Sequence, residues 1–107
     1  MAKTSLGIDE NVEALLSYLL GWVTGIIFLL IEKESRFVRF HAMQSVVVFL
    51  SITVLQLLLS FLPFLGGIFS SLLGILAFIL WIVLMIKAYQ GEYYKVPIAG
   101  DLAESYL

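Results

Sequence analysis

From Ala42 to Ile86 the chain carries no charged side chain. At 1.5 Å per residue a single helix of about 45 residues would be about 67 Å long, twice the hydrocarbon core of a bilayer. The run must therefore double back, and Pro63-Phe64-Leu65-Gly66-Gly67 supplies the break, a residue without a backbone donor followed by two flexible glycines. This predicts membrane-spanning helices over about 40–62 and 68–86. A third apolar stretch, 12–31, carries Glu13 at its start, is otherwise interrupted only by Ser17, Tyr18, Gly21, Trp22, Thr24 and Gly25, and has the length of one further span. Asp9 is placed to cap it, with Glu10 and Glu13 near the positive end of its dipole. Beyond residue 87 the chain turns polar and aromatic: Tyr89, Tyr93 and Tyr94 suit the headgroup level, and Asp101 with Glu104 has capping-box spacing. The expected fold is all-α, an integral membrane three-helix bundle in one domain over 1–107. Its N-terminal lead and its tail 87–107 are expected to be interfacial.

A chain of 107 residues that is 62% hydrophobic and 13% charged has too little polar surface for an ordinary soluble domain. The acids ahead of residue 12 and the lack of a small-residue cleavage site argue against a cleaved signal peptide. The absence of cysteine removes disulfides and thiolate ligation, and a single histidine removes His-pair metal motifs, so no metal or cofactor is expected. A net charge of -2 without a basic stripe gives no reason to expect nucleic acid. With three spans, one side collects Lys33, Arg36, Arg39, Lys87 and Lys95, and the other has Lys3 alone. That asymmetry predicts an external N-terminus and a cytoplasmic C-terminus.

Ser17, Gly21 and Gly25 recur every four residues, as do Gly66, Ser70 and Gly74. Such small-residue stripes let helix backbones approach closely, so the first span is expected to pack on the third, or two copies on each other. The middle span carries His41, Ser45 and Gln56 within about 60° of one another, with Thr53 and Ser60 further round. The plain reading is interhelical hydrogen bonding at about 0.6 kcal/mol each, and the alternative is a hydrated path. His41 and Ser45 have neither an orienting third group nor an oxyanion site, so no enzymatic activity is expected. Arg36 and Arg39 stand at i and i+3, a spacing suited to anionic lipid headgroups, with Phe37 and Phe40 entering the acyl boundary. Arg39 is expected on a lipid phosphate or on Asp101, and Gln44 on a neighbouring helix. The candidate lipid or partner contacts are thus Arg36, Arg39, His41, Gln44 and Gln56.

Phe37-Val38-Arg39-Phe40-His41-Ala42-Met43-Gln44-Ser45 resembles the arginine-phenylalanine-(histidine or asparagine)-alanine-x-glutamine signature of the Tic-twenty-like family, named for a translocon component of the chloroplast inner envelope. Gly91-Glu92-Tyr93-Tyr94-Lys95-Val96-Pro97-Ile98-Ala99-Gly100-Asp101 resembles that family's segment after its last span, and the likeness covers about Asn11 to Glu104. Plastid members have four spans where this chain shows three. The resemblance implies a subunit of a protein translocation or membrane-protein assembly apparatus, with the polar face of the second span touching a passing chain. The residues themselves leave two further readings: a non-catalytic scaffold that binds lipid, other membrane proteins or itself, and an oligomeric channel or transporter. Three mostly apolar helices without intramembrane charge disfavour the last.

Overall fold

The computed structural model describes residues 3, 4 and 6–107. The described residues form five helices: α1 (Glu10–Leu19), α2 (Trp22–Ile31), α3 (Arg36–Leu59), α4 (Leu65–Tyr89) and α5 (Ala99–Ser105). α3 and α4 are each long and apolar enough to cross a bilayer. They meet at the Pro63 turn, where the Leu59 carbonyl lies so close to Gly66 that any Cβ there would collide.

The expected span over 12–31 is instead two helices of ten residues each. Gly21 has φ 65° and ψ -134°, a conformation that side chains disfavour, and it ends the first helix and redirects the chain. The Thr24 hydroxyl accepts from Leu20 N and lies 3.1 Å from the Ser17 carbonyl, satisfying both sides of the break. α2 then runs back along α1. At one end Glu10 bonds Ser35, and the Asn11 amide donates to the Tyr89 carbonyl at 3.0 Å. At the other, Ser45 Oγ donates to the Gly21 carbonyl at 2.8 Å. The pair is a hairpin about 15 Å deep, roughly half a hydrocarbon core, and it replaces the first member of the expected three-helix bundle.

The topology changes with it. The start of α1, the α2–α3 link and the end of α4 lie at the same end of the molecule, whereas a bundle of three full spans would put the start of the first span and the end of the last at opposite ends. All charged residues fall within 3–39 and 87–104, and thus at this end, the base. The other end is a bare prong of α3 and α4, tipped by Phe61 and Phe64 at 82% and 83% exposure.

Two further differences follow from local geometry. α3 contains a π-helical turn over Val46–Leu50, opposite the hairpin tip. One extra residue in a turn offsets the faces on either side by about 100°, so Gln56 does not continue the face of His41. Asp9 occupies the residue before α1 without a capping bond, because its carboxylate pairs with Lys3 at 2.9 Å, which holds its pKa below the usual value. The last helix begins at Ala99, ahead of Asp101, whose carboxylate meets Lys95 at 3.5 Å.

Candidate functional site

The polar residues of α3 converge in the base on partners from α1 and the tail. His41 Nε2 faces the Glu92 carbonyl at 2.8 Å and must donate to it, because a carbonyl only accepts. Nδ1 is then the acceptor, 2.7 Å from the Tyr18 hydroxyl. Tyr18 in turn accepts from Gln44 Nε2 at 2.9 Å. Gln44 also donates to the Tyr94 carbonyl and accepts from Val96 N, both at 2.9 Å. His41, Gln44 and Tyr18 have no exposed surface, and each polar atom has a defined role. The three side chains fasten the extended stretch 92–96 to α1 and α3.

Aromatic rings complete the fastening. Phe37 and Phe40 are buried rather than turned to lipid, and their centroids lie 4.9 and 5.4 Å from Tyr93 and 4.7 and 5.2 Å from His41. Trp81 of α4 donates from its indole to the Tyr18 carbonyl at 2.7 Å, tying α4 to the end of α1.

Arg39 Nη1 donates to the carbonyls of Leu29 and Glu32 at 2.9 and 2.8 Å, so it caps the C-terminus of α2. The expected Arg39–Asp101 pair is absent, because Lys95 takes Asp101 and Glu104, and these acids raise the Lys95 pKa. Arg36 is exposed beside Lys33. Gln56 lies far from this cluster, in the prong, where Nε2 donates to the Ser70 carbonyl at 3.1 Å and Oε1 accepts from the Ser70 hydroxyl.

Both small-residue stripes pack against α3, at opposite ends, and not against each other. A Cβ on Gly25 would stand 2.8 Å from the Ala42 carbonyl and 3.1 Å from Ser45 Cβ, and one on Gly21 would stand 3.6 Å from Phe49. Ser17 is buried and returns its hydroxyl to the Ala14 carbonyl. Gly66 meets Leu59, Ser70 meets Gln56, and Gly74 stands beside the Gln56 amide. Two stripes thus grip one central helix.

Tyr18, Tyr93 and Trp81 carry much of this geometry and lie outside the sequence-based candidates. A tyrosine within an apolar stretch is a usable signal, since its buried hydroxyl needs a partner. Among the described residues no three His, Asp or Glu side chains converge as metal ligands. A surface groove between α1 and α4 is lined by Leu15, Ile82, Met85, Ile86, Tyr89 and Gln90, an apolar surface.

A UPF0132 membrane protein of Methanocaldococcus jannaschii is 55% identical over 99% of this chain and 96% of its own length. A second from the same organism is 53% identical over 95% of this chain and 73% of its own. One from Archaeoglobus fulgidus is 53% identical over 91% and 94%. No solved structure matches. The family match overturns the Tic-twenty-like resemblance and removes the support that the translocation reading drew from it. The chain is a membrane protein of the MamF/MmsF family, the magnetosome magnetite crystal formation protein family, whose model matches residues 9–103.

Proposed function

We propose that this protein is a non-catalytic shaper of the lipid bilayer, a wedge with its wide end in one leaflet. The observation that carries the reading is the half-depth hairpin. In the leaflet of the charged end the body contains α1, α2, α3, α4 and the tail, and in the other leaflet only α3 and α4. Each helix is about 10 Å across with its side chains, so the body displaces roughly twice as much lipid area in one leaflet as in the other. Such an insert relieves strain where its wide leaflet is the convex one. All six basic residues lie at the wide end, which supports a cytoplasmic position for that end and for both termini with it. Exposed Arg36 and Lys33 are positioned for anionic headgroups, each worth about 1 kcal/mol near the surface. What the chain shares with its family, 9–103, is this membrane body itself. A pore is disfavoured because Gln56 and Ser70 bond each other and line no path.

The test is curvature sorting. Labelled full-length protein reconstituted in giant vesicles should be enriched in membrane tethers pulled from them when its charged end faces outward, and depleted in the opposite orientation. Equal density on tether and vesicle in both orientations would refute the wedge.

A further inference from the structure

A helix face that meets only lipid has no need of a fixed order of leucine and isoleucine. On α4 the order is strict. Ile68, Leu72, Ile75, Ile79, Ile82 and Ile86 follow one another at alternating spacings of four and three residues, and all are exposed. Leu65 and Tyr89, also exposed, continue the line by three residues at either end. This is the seven-residue repeat of a coiled-coil seam, and it runs the whole membrane-spanning length of the helix. Every isoleucine of α4 lies on it, whereas the leucines of α4 fall both on it and off it.

The line faces away from the rest of the chain. Ile68, Leu72, Ile79, Ile82 and Ile86 each stand two residues ahead of an inward residue, about 160° round the helix. Of these inward residues Ser70 and Gly74 meet Gln56, Trp81 bonds the Tyr18 carbonyl, and Leu84 and Ala88 have no exposed surface. α4 packs on α3 and α1, whereas α2 and α5 pack on α3, so the line stays bare from the Pro63 turn to the base. Ile82 and Ile86 border the groove beside α1, which keeps the line open to a neighbour even where the hairpin widens the body.

We propose that copies of this chain associate in the membrane along this line, α4 against α4. The basic residues of the base give every copy one orientation, so the α4 helices of neighbours run parallel. Each seat of the line then meets its own counterpart, and the surface is complementary to itself. Removal from lipid contributes little to such a contact, and fit supplies it. Isoleucine keeps one preferred rotamer in a helix, so it loses little freedom beside a neighbour, and interlocked side chains pack more densely than a liquid. Ile79 and Ile86 occupy one kind of seat and Ile68, Ile75 and Ile82 the other, a pattern that favours three or four chains over two. The inference uses the common orientation proposed above and not the effect of the wedge on curvature.

The chain has no cysteine, so a single introduced thiol reports the contact. In the membranes of expressing cells, Ile75→Cys should give a disulfide-linked pair of chains on oxidation. Ser51→Cys, exposed on α3 at about the same depth, should not. Full-length protein carrying donor or acceptor dyes in lipid vesicles should show energy transfer that is lost as lipid is added. Ile75→Ala with Ile79→Ala should move the midpoint by about tenfold or more toward higher protein-to-lipid ratio. Both side chains point away from their own chain, so the fold survives the change. Val54→Ala with Leu58→Ala, on the exposed face of α3, should leave the midpoint in place. A monomer at every ratio would overturn the proposal and leave the line to lipid or to a different protein. Equal disulfide yield from Ser51→Cys, or a midpoint indifferent to the isoleucine variants, would overturn it as well. None of these readings depends on whether the protein bends membranes.

Discussion

The base and the prong are built from the same two long helices, yet they differ in what is buried. In the base, Tyr18, Phe40, His41, Gln44, Glu13 and Ser17 have no exposed surface. In the prong, Leu57 and Leu58 of α3 are 61% and 59% exposed, and Ile75 and Phe78 of α4 are similar. A soluble protein would show the reverse ranking. In lipid, leucine gains little by touching leucine, so apolar surface gives no reason to assemble. Polar groups and close backbone approaches do, because an unpaired donor in hydrocarbon costs several kcal/mol. The chain therefore condenses where its polar groups are and stays bare where it has none.

The comparison breaks first if the base does not lie on one side of the membrane. Single cysteines at Leu6, Glu34 and Ser105 should share one labelling state in intact cells, all protected, with a cysteine at Phe64 labelled by an impermeant reagent. Leu6 reacting while Ser105 stays protected would restore a three-span topology and dismantle the wedge. The next largest effect is expected from Gly25→Leu. Its first side-chain carbon already meets the Ala42 backbone, which cannot yield as a side chain can. Overpacking of this kind costs about 3 kcal/mol, whereas Leu58→Ala in the prong should cost less than about 0.5. Thermal unfolding in one detergent compares the two, and equal losses would deny that the base holds the fold together.

Much of the prong was legible in the sequence and much of the base was not. The ends of α3 and α4 follow from an uncharged run too long for one helix and from Pro63 with Gly66 and Gly67. The hairpin escaped because an apolar stretch counts the same whether it crosses once or goes halfway and returns. Its signal was local, Gly21 after two leucines with Thr24 three residues on, which is a helix stop followed by a cap. A uniform 100° per residue sets Gln56 on the face of His41, and the π-turn at Val46–Leu50 shifts it off that face. The need of Gln44 for partners was readable. The partners were not, since two of them are the backbone groups of Tyr94 and Val96, and backbone groups leave no mark in sequence.

Gln44→Leu sharpens the comparison from within the base. It removes three hydrogen bonds at once and leaves the part-buried Val96 N and Tyr94 carbonyl without their partner. Each stranded group costs about 1–3 kcal/mol, so the total should reach about 2–3 kcal/mol even though the span becomes more apolar. Part of that cost appears as release of the tail. Protease cleavage between 90 and 100 should accelerate in the variant while the α3–α4 turn stays resistant, and an unchanged tail would mean that the aromatic contacts of Tyr93 hold it alone.

The smallest effect should come from the same chemistry moved to the prong. Gln56 is a glutamine in α3 like Gln44, and it bonds Ser70 across a helix pair as Gln44 bonds across to Tyr18. Chemistry alone would rank the two substitutions equal. Their surroundings separate them. Loss of Gln56 strands the Ser70 hydroxyl, which can turn to the carbonyl one helical turn earlier, as the Ser71 hydroxyl does with Gly67. The Ser70 carbonyl keeps its place in the helix, so nothing is left without recourse. Gln56→Leu should therefore cost about 0.6 kcal/mol, the average for an interhelical hydrogen bond in a membrane, and leave tail protection unchanged. A loss as large as that of Gln44→Leu would show that the prong, too, depends on its one polar link, and that its bare leucines have no part in holding α3 to α4.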